Sequence, residues 1–263
     1  MRFKTALSLN AASVSIGVSR RPSAFPARTS SLLSIAMLSR ELAPIDKSEL
    51  VRAGNALGLR ETPMLTDAAF SDSAVLKRTD LDQFQVLHFA THGLTEGQWG
   101  CAKSPPALVT SMGDPGSDGI LSFSEIARLR LDANLVVLSA CETASKVSQA
   151  EARAAGQEEA GNTLEGLVRA FLAAYARAVL ITYWPISDEG ESEALVENFY
   201  RAARQGTIGD ALQSAQIGIM SERSSSHPIY WGAFFVVGDA NKALISGQAQ
   251  AQLVGGTTSA GGR

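Results

Sequence analysis

Three short apolar runs constrain the fold of this chain more than any other feature of its sequence. They cover Val86–Ala90, Leu135–Ser139 and residues 178–183, and longer segments of mixed polarity separate them. Apolar runs of this length without polar alternation are typical of strands buried on both faces of a parallel sheet. The runs therefore predict an α/β fold in which helices cover a mostly parallel sheet.

Helix patterns occur in the segments around these runs. Ser122 with Glu125 fits a capping box, Asn162 fits an N-cap, and Ser73 or Asp72 fits the cap of a short helix. Apolar spacing and these caps predict helices over residues 47–57, 73–77, 122–129, 162–175, 189–204 and 208–221.

The remaining segments are predicted to be extended or irregular. Residues 63–65 and 231–237 have the composition of short strands. Residues 94–119 are rich in Gly, Pro, Ser and Asp, which predicts a long irregular segment between two strands of the sheet.

The composition fits one globular domain with a sizeable core. The chain has 263 residues, of which 45% are hydrophobic and 19% are charged. Its formal net charge of −3 gives no general attraction to nucleic acid or to an anionic membrane. The sequence contains no apolar run of about 18 residues, so no membrane span is predicted. Two cysteines do not make a disulfide framework, so a reducing, cytoplasmic setting is expected.

The two ends of the chain differ in composition from its centre. Residues 1–32 are basic and rich in Ser and Ala, and no acidic residue precedes Glu41. This composition is compatible with a transit-like segment, a disordered basic arm or a gene start placed too far upstream. Residues 245–263 are rich in Gly, Gln, Ser, Thr and Ala, which predicts a disordered tail.

His92 and Cys141 each follow one of the apolar runs. Sites in open α/β sheets form beyond the carboxyl ends of the strands. A cysteine nucleophile needs a base that can generate its thiolate, and N–H donors for the oxyanion. His92 lies about fifty residues upstream of Cys141, which is the caspase spacing. The pair therefore predicts a catalytic dyad, with the backbone N–H groups of Gly93 and Cys141 as oxyanion donors.

Three sequence motifs together resemble the core motifs of the CHAT domain, a bacterial caspase- and separase-like peptidase module that is often joined to tetratricopeptide repeats. The motifs are HFATHG at residues 88–93, LSACET at residues 138–143 and YWPISD at residues 183–188. The segment YWGAF at residues 230–234 is similar to the final strand of the family. The resemblance covers residues 33–244.

The resemblance implies a caspase-like, three-layer α/β/α sandwich with a mostly parallel central sheet. It also implies a cysteine-type endopeptidase that cleaves a protein substrate with the dyad of His92 and Cys141. Because tetratricopeptide repeats do not occur in this sequence, a sensor protein on another chain is an expected partner. The alternative function is a catalytically silent interaction or scaffold domain with the same fold.

Four other residues are candidates for substrate binding. Trp184 and Asp188 are expected to line the cleft, although Trp184 also fits the end of a strand and Asp188 the cap of the next helix. Asp114 and Asp118 fit an acidic pocket for a basic side chain, although aspartates in a Gly/Pro-rich segment are usually turn residues.

The other reactive residues have simpler interpretations. His88 lies inside an apolar run and is predicted to be a hydrogen-bonded core histidine, and Cys101 is predicted to have no role. His88 and His92 have the spacing of a helical zinc site, but their segment reads as a strand and lacks the glutamate base, so no metal or other cofactor is expected. Glu142 would raise the pKa of the Cys141 thiol, so His92 is expected to activate it during the reaction.

Two further function classes lack their sequence motifs. A nucleotide-binding α/β domain requires a glycine-rich phosphate loop after a strand, and none follows the predicted strands. A serine hydrolase of the α/β type requires a Gly-x-Ser-x-Gly elbow, which the sequence also lacks. Direct binding to nucleic acid or to a membrane is not expected either.

Overall fold

A mostly parallel sheet lies at the centre of this computed structural model. The structure describes residues 32–36, 48–59, 62–94, 107–112, 115–139, 160–184 and 190–245. The strands in these residues are β1 (Leu32–Ala36), β2 (Met64–Thr66), β3 (Val86–Ala90), β4 (Gly93–Leu94), β5 (Ala107–Val109), β6 (Ile120–Ser122), β7 (Leu135–Ser139), β8 (Ala178–Thr182) and β9 (Phe234–Gly238).

Six of the strands in the described residues form the main sheet, in the order β2-β1-β3-β7-β8-β9. Neighbouring strands pair in parallel from β2 to β8, and β9 pairs antiparallel to β8. The strands predicted at Val86–Ala90 and Leu135–Ser139 are confirmed, and they are direct neighbours in the sheet. The mostly parallel α/β fold expected from the apolar runs is therefore confirmed.

Helices cover both faces of this sheet. The helices in the described residues are α1 (Ser48–Leu57), α2 (Asp72–Leu76), α3 (Phe123–Ile126), α4 (Ala160–Ala173), α5 (Glu191–Ala202) and α6 (Ile208–Ser221). Successive side chains of a strand point to opposite faces. Accordingly, Val86 and Ala90 of β3 join a core cluster with α1, α5 and α6, whereas Leu87 and Phe89 join a second cluster with α3 and α4.

Two predicted helix starts need correction, and a third is confirmed. The N-cap of α2 is Ser71, whose Oγ accepts a hydrogen bond of 3.1 Å from the Ala74 N–H, and Asp72 is the first helical residue. Helix α4 begins at Ala160, so Asn162 lies within it and is not its cap. The predicted capping contact at α3 is present, since Glu125 Oε2 accepts from the Ser122 N–H at 2.9 Å.

The prediction of an irregular segment over residues 94–119 is wrong in part. Strands β4, β5 and β6 form a small antiparallel sheet, with Leu94 opposite Ala107 and Leu108 opposite Leu121. Leu108 and Leu121 are fully buried, and pairing satisfies the buried backbone groups of their strands. Two- and three-residue strands are too short to show the alternation that identifies a strand in a sequence.

Candidate active site

The turn that follows β3 places His92 at the carboxyl end of the main sheet. His92 is almost completely buried, with 2% of its surface exposed. Val109 of strand β5 forms two hydrogen bonds with this turn. The Val109 N–H donates to the His92 carbonyl oxygen at 2.8 Å, and Thr91 Oγ1 donates to the Val109 carbonyl oxygen at 2.6 Å. The small sheet therefore fixes the backbone of the predicted acid/base residue.

The strand that leads to Cys141 lies next to the strand that leads to His92. In the parallel register of β3 and β7, Ala90 is opposite Ser139. His92 follows Ala90 by two residues and Cys141 follows Ser139 by two residues. Cys141 itself lies outside the described residues, as do Cys101, Asp114 and Asp188. The structure thus brings the two strand ends together, and the dyad stays a prediction.

Gly93, the other predicted oxyanion donor, is the first residue of β4. It is buried and is opposite Leu108 in the small sheet. Its position directly after His92 keeps its backbone at the same edge of the main sheet, and its role as a donor stays a prediction.

Trp184 lies just after β8 and makes a structural contact. Its indole Nε1 donates to the Ile229 carbonyl oxygen at 3.2 Å, and its ring is near the backbone of Gly232. The side chain is half-buried, so part of the ring stays open to solvent. Helix α5, which follows, has Gly190 at its N-cap, so the alternative role of Asp188 as the cap of this helix is wrong.

Asp118 is exposed in the turn before β6, and its carboxylate accepts from the Ile120 N–H at 3.1 Å. This is the local hydrogen bond of a turn residue. Partial burial, and the nearby carboxylates of Asp72 and Glu125, raise the pKa of Asp118 above its ordinary value. Its predicted part in substrate binding stays a prediction.

A buried polar network lies beneath the ends of β3 and β7. His88 is fully buried, and its Nε2 is 2.8 Å from Ser139 Oγ and 3.4 Å from Glu49 Oε1. Its Nδ1 is 3.2 Å from the hydroxyl of Tyr200, and Ser139 Oγ donates to Glu49 Oε1 at 3.0 Å. Both ring nitrogens are therefore paired, which confirms the prediction that His88 is a satisfied core histidine.

The environment of this network shifts the pKa values of Glu49 and Tyr200. Burial opposes ionisation of Glu49, but hydrogen bonding and the charge of His88, together with the Ser139 hydroxyl, outweigh it and lower its pKa below the ordinary 4.5. Burial, and the nearby Glu49 carboxylate, raise the pKa of Tyr200 well above its ordinary value. Glu49 is therefore ionised and Tyr200 is a neutral phenol at neutral pH.

The lowered pKa of Glu49 predicts a pH-dependent contribution to stability. A carboxyl whose pKa is lower in the folded state stabilises the fold fully above its unfolded value of 4.5, and this stabilisation is lost as the pH falls through the folded-state pKa. At pH 7 we expect Glu49→Gln to lower the free energy of unfolding by about 1–2 kcal/mol. Urea unfolding between pH 7 and about pH 3 should show this difference shrinking towards the acid end.

Glu197→Gln is the matched control for this measurement, because Glu197 forms an (i, i+4) ion pair with Arg201 on the surface of α5. Such pairs contribute about 0.5 kcal/mol or less, so this variant should unfold like the parent at every pH. A Glu49→Gln curve parallel to that of the parent across the whole range would contradict the prediction.

The described residues hold no group of three or more His, Cys, Asp or Glu side chains that could bind a metal ion. Across the same part of the chain, the helices are too short or too polar to cross a membrane.

Two features of the site have no clear signal in the local sequence. The hydrogen bonds between Val109 and the turn at His92 were not predicted, because residues 94–119 were predicted to be irregular. The network around His88 was missed because its other members lie far away in the sequence, at Glu49, Ser139 and Tyr200. A polar residue inside an apolar run is a signal that partners exist, but it does not identify them.

Comparison with known proteins identifies the family of this chain. The family model of the CHAT domain matches residues 7–239, which is most of the chain. The chain belongs to the CHAT domain family. The CHAT domain here is also similar to two mammalian proteins named Tetratricopeptide repeat protein 28. The mouse protein is 29% identical over 208 residues and the human protein 28% identical over 212 residues.

The CHAT domain relatives are much longer than this chain. Each alignment covers 66% of this chain but only 8% of the mouse or human protein. The matches therefore concern one domain of the mouse and human proteins. They give no information about this chain from the rest of those proteins.

Proposed function

We propose that this CHAT domain is a cysteine-type endopeptidase with a caspase-like fold. The observation that supports the proposal most is the register of β3 and β7, which sets Ala90 opposite Ser139. Each residue is followed two positions later by one member of the proposed dyad, His92 or Cys141. Helices on both faces of a mostly parallel sheet are compatible with the three-layer caspase-like sandwich.

The proposed reaction proceeds through an acyl-enzyme. The thiol of Cys141 loses its proton to His92 as sulfur attacks the carbonyl carbon of the scissile peptide bond. The C–N bond then breaks, and the imidazolium of His92 returns the proton to the leaving amine. Water, deprotonated by His92, attacks the thioester and releases the carboxylic acid and the free thiol. The N–H groups of Gly93 and Cys141 stabilise the oxyanion in both steps.

The proposed substrate is a protein segment that lies across the ends of β3 and β7. Trp184 offers a half-buried aromatic surface, and Asp188 follows it in the sequence. Asp118, together with Asp114, is proposed to attract a basic side chain, because the carboxylates of Asp72 and Glu125 add to the negative charge around Asp118.

The proposed regulatory partner is a protein with tetratricopeptide repeats. This part of the proposal is supported by the name of the mouse and human relatives, which are repeat proteins of which this domain matches a small part. We place both proteins in the cytoplasm, where Cys141 stays reduced.

Labelling with a peptidyl acyloxymethyl ketone tests the proposed function. This electrophile reacts with a thiol that is aligned with a bound peptide, so a panel with different residues before the ketone should yield one adduct, at Cys141. His92→Ala should slow labelling by about 10²-fold or more, because the proton acceptor is lost. Cys101→Ala is the matched control and should be labelled like the parent.

If the folded protein, alone and with a repeat partner, gives no adduct with any member of the panel, the endopeptidase proposal fails. The CHAT domain would then be a catalytically silent scaffold. Equal labelling of the parent and of His92→Ala would remove His92 from the dyad.

A further inference from the structure

The buried network of Glu49, His88, Ser139 and Tyr200 joins four elements of the fold: α1, β3, β7 and α5. His88 and Tyr200 have no exposed surface, and the Glu49 side chain is 19% exposed. Ser139 is half-buried. Burying polar groups, even in part, is unfavourable unless each is hydrogen-bonded, so the network has to be satisfied as a unit.

The direction of each hydrogen bond follows from the number of protons available. A serine hydroxyl has one proton, and that of Ser139 goes to the ionised Glu49 carboxylate. Nε2 of His88, at 2.8 Å, must therefore donate to Ser139 Oγ. The Tyr200 hydroxyl can donate to Nδ1 of a neutral His88 or accept from a protonated one. With a neutral His88, each of the four side chains has a hydrogen-bond partner within the network.

These directions exclude Ser139 as a second nucleophile. In a serine triad the hydroxyl donates to the imidazole, and the other ring nitrogen donates to a carboxylate. Here the hydroxyl donates to Glu49, and the other ring nitrogen of His88 faces a phenol. The network is arranged to hold Ser139 and not to remove its proton during a reaction.

Ser139 and His88 occupy the two strands that lead to the proposed dyad. Ser139 is the last residue of β7 and lies two residues before Cys141. His88 lies within β3, four residues before His92. The side-chain hydrogen bond adds a link between the strands to the backbone ladder that sets Ala90 opposite Ser139. Glu49 fixes the same hydroxyl from helix α1.

We propose that Ser139 and His88 are positioning residues of the CHAT domain, and that their hydrogen bond, supported by Glu49 and Tyr200, fixes the end of β7 so that Cys141 is aligned with His92 and the substrate carbonyl. This inference rests on the proposed endopeptidase function for its catalytic consequence. A displacement of about 1 Å at a reacting group can lower a rate by about 10²-fold. Loss of the hydroxyl therefore lowers the rate without removing a group that takes part in the chemistry.

Ser139→Ala tests the proposal, and Ser139→Thr is the conservative variant that keeps the hydroxyl. We expect Ser139→Ala to slow labelling of Cys141 by the peptidyl acyloxymethyl ketone about 10–100-fold, with little change in its half-saturating concentration. Iodoacetamide needs no alignment with a bound peptide, so its rate with Cys141 should change less than about 3-fold. Ser139→Thr should recover most of the peptidyl rate.

Ser225→Ala is the control for the loss of a hydrogen-bonded serine hydroxyl. Ser225 is fully buried and its Oγ donates to the Ile219 carbonyl oxygen at 2.9 Å, outside the network. Because Ser225 is more deeply buried than Ser139, this variant should lose at least as much stability as Ser139→Ala and keep the parent labelling rate. If Ser225→Ala and Ser139→Ala slow labelling equally, the effect is general destabilisation and the proposal is overturned.

Hydrogen exchange separates failure of this inference from failure of the proposed function. In Ser139→Ala, amides of the peptide that contains Cys141 should exchange at least about 10-fold faster, while a peptide from α6 should not change. The parent could fail to react with the peptidyl electrophile while Ser139→Ala still shows faster amide exchange. In that case the peptidase proposal fails, and the proposal that the network fixes the end of β7 is supported. Unchanged exchange in Ser139→Ala overturns the positioning role, whether or not the parent is labelled.

Discussion

Replacing Cys141 with alanine is expected to abolish peptide cleavage, with a fall in kcat/KM of at least about 10³-fold. The substitution removes the sulfur that would form the acyl-enzyme, and no other described residue near the ends of β3 and β7 offers a nucleophile with a base arranged to activate it. The rate of hydrolysis of the best fluorogenic peptide found with the labelling panel is the measurement. Circular dichroism and the midpoint of urea unfolding should match the parent, because the change removes only one atom.

His92→Ala should lower kcat/KM by about 10²–10⁴-fold, since general acid–base catalysis contributes about that much. Cys101→Ala should keep parent activity and shows whether the loss is specific to one thiol. Cleavage by Cys141→Ala at the parent rate would show that the nucleophile has been assigned wrongly. Loss of activity in Cys101→Ala as well would show that the loss is not specific to the Cys141 thiol.

The largest loss of stability is expected from Gly238→Ala, at the end of the antiparallel strand β9. Gly238 has a φ of +112°, a conformation that a residue with a Cβ rarely adopts. A Cβ there would collide with the carbonyl oxygen of Arg177 and lie 3.0 Å from the Cα of Ala178. Both are backbone atoms at the start of β8, so no side chain can move aside.

We expect Gly238→Ala to lower the free energy of unfolding by about 3 kcal/mol or more, through strain and the disrupted pairing of β8 with β9. Gly116→Ala is the matched control. Gly116 also has a positive φ, of +97°, but a Cβ there would meet nothing within 4 Å. Its effect should therefore be limited to backbone strain, about 1–2 kcal/mol. Urea unfolding of both variants measures the difference, and equal losses would show that the contact with Arg177 is not the cause.

Elements whose signal lies in adjacent residues could be predicted from the sequence, and elements that depend on distant residues could not. The apolar runs at Val86–Ala90 and Leu135–Ser139 predicted two strands correctly, because burial on both faces leaves a continuous apolar pattern. The small sheet of β4, β5 and β6 was missed, because strands of two or three residues leave no pattern of their own. Asn162 was predicted to cap helix α4, but the helix begins at Ala160, because a residue that is favourable at an N-cap can also lie inside a helix.

The sequence by itself determined the family, the α/β character of the fold and the two strand ends that carry His92 and Cys141. Each of these depends on residues that are close together in the chain. Only the tertiary structure decided that β3 and β7 are neighbours with Ala90 opposite Ser139, that Val109 holds the turn at His92, and that Glu49 and Tyr200 complete the hydrogen bonds of His88 and Ser139. These contacts join residues that are distant in the chain, and their partners are selected by the packing of helices on a particular face of the sheet, which no local pattern encodes.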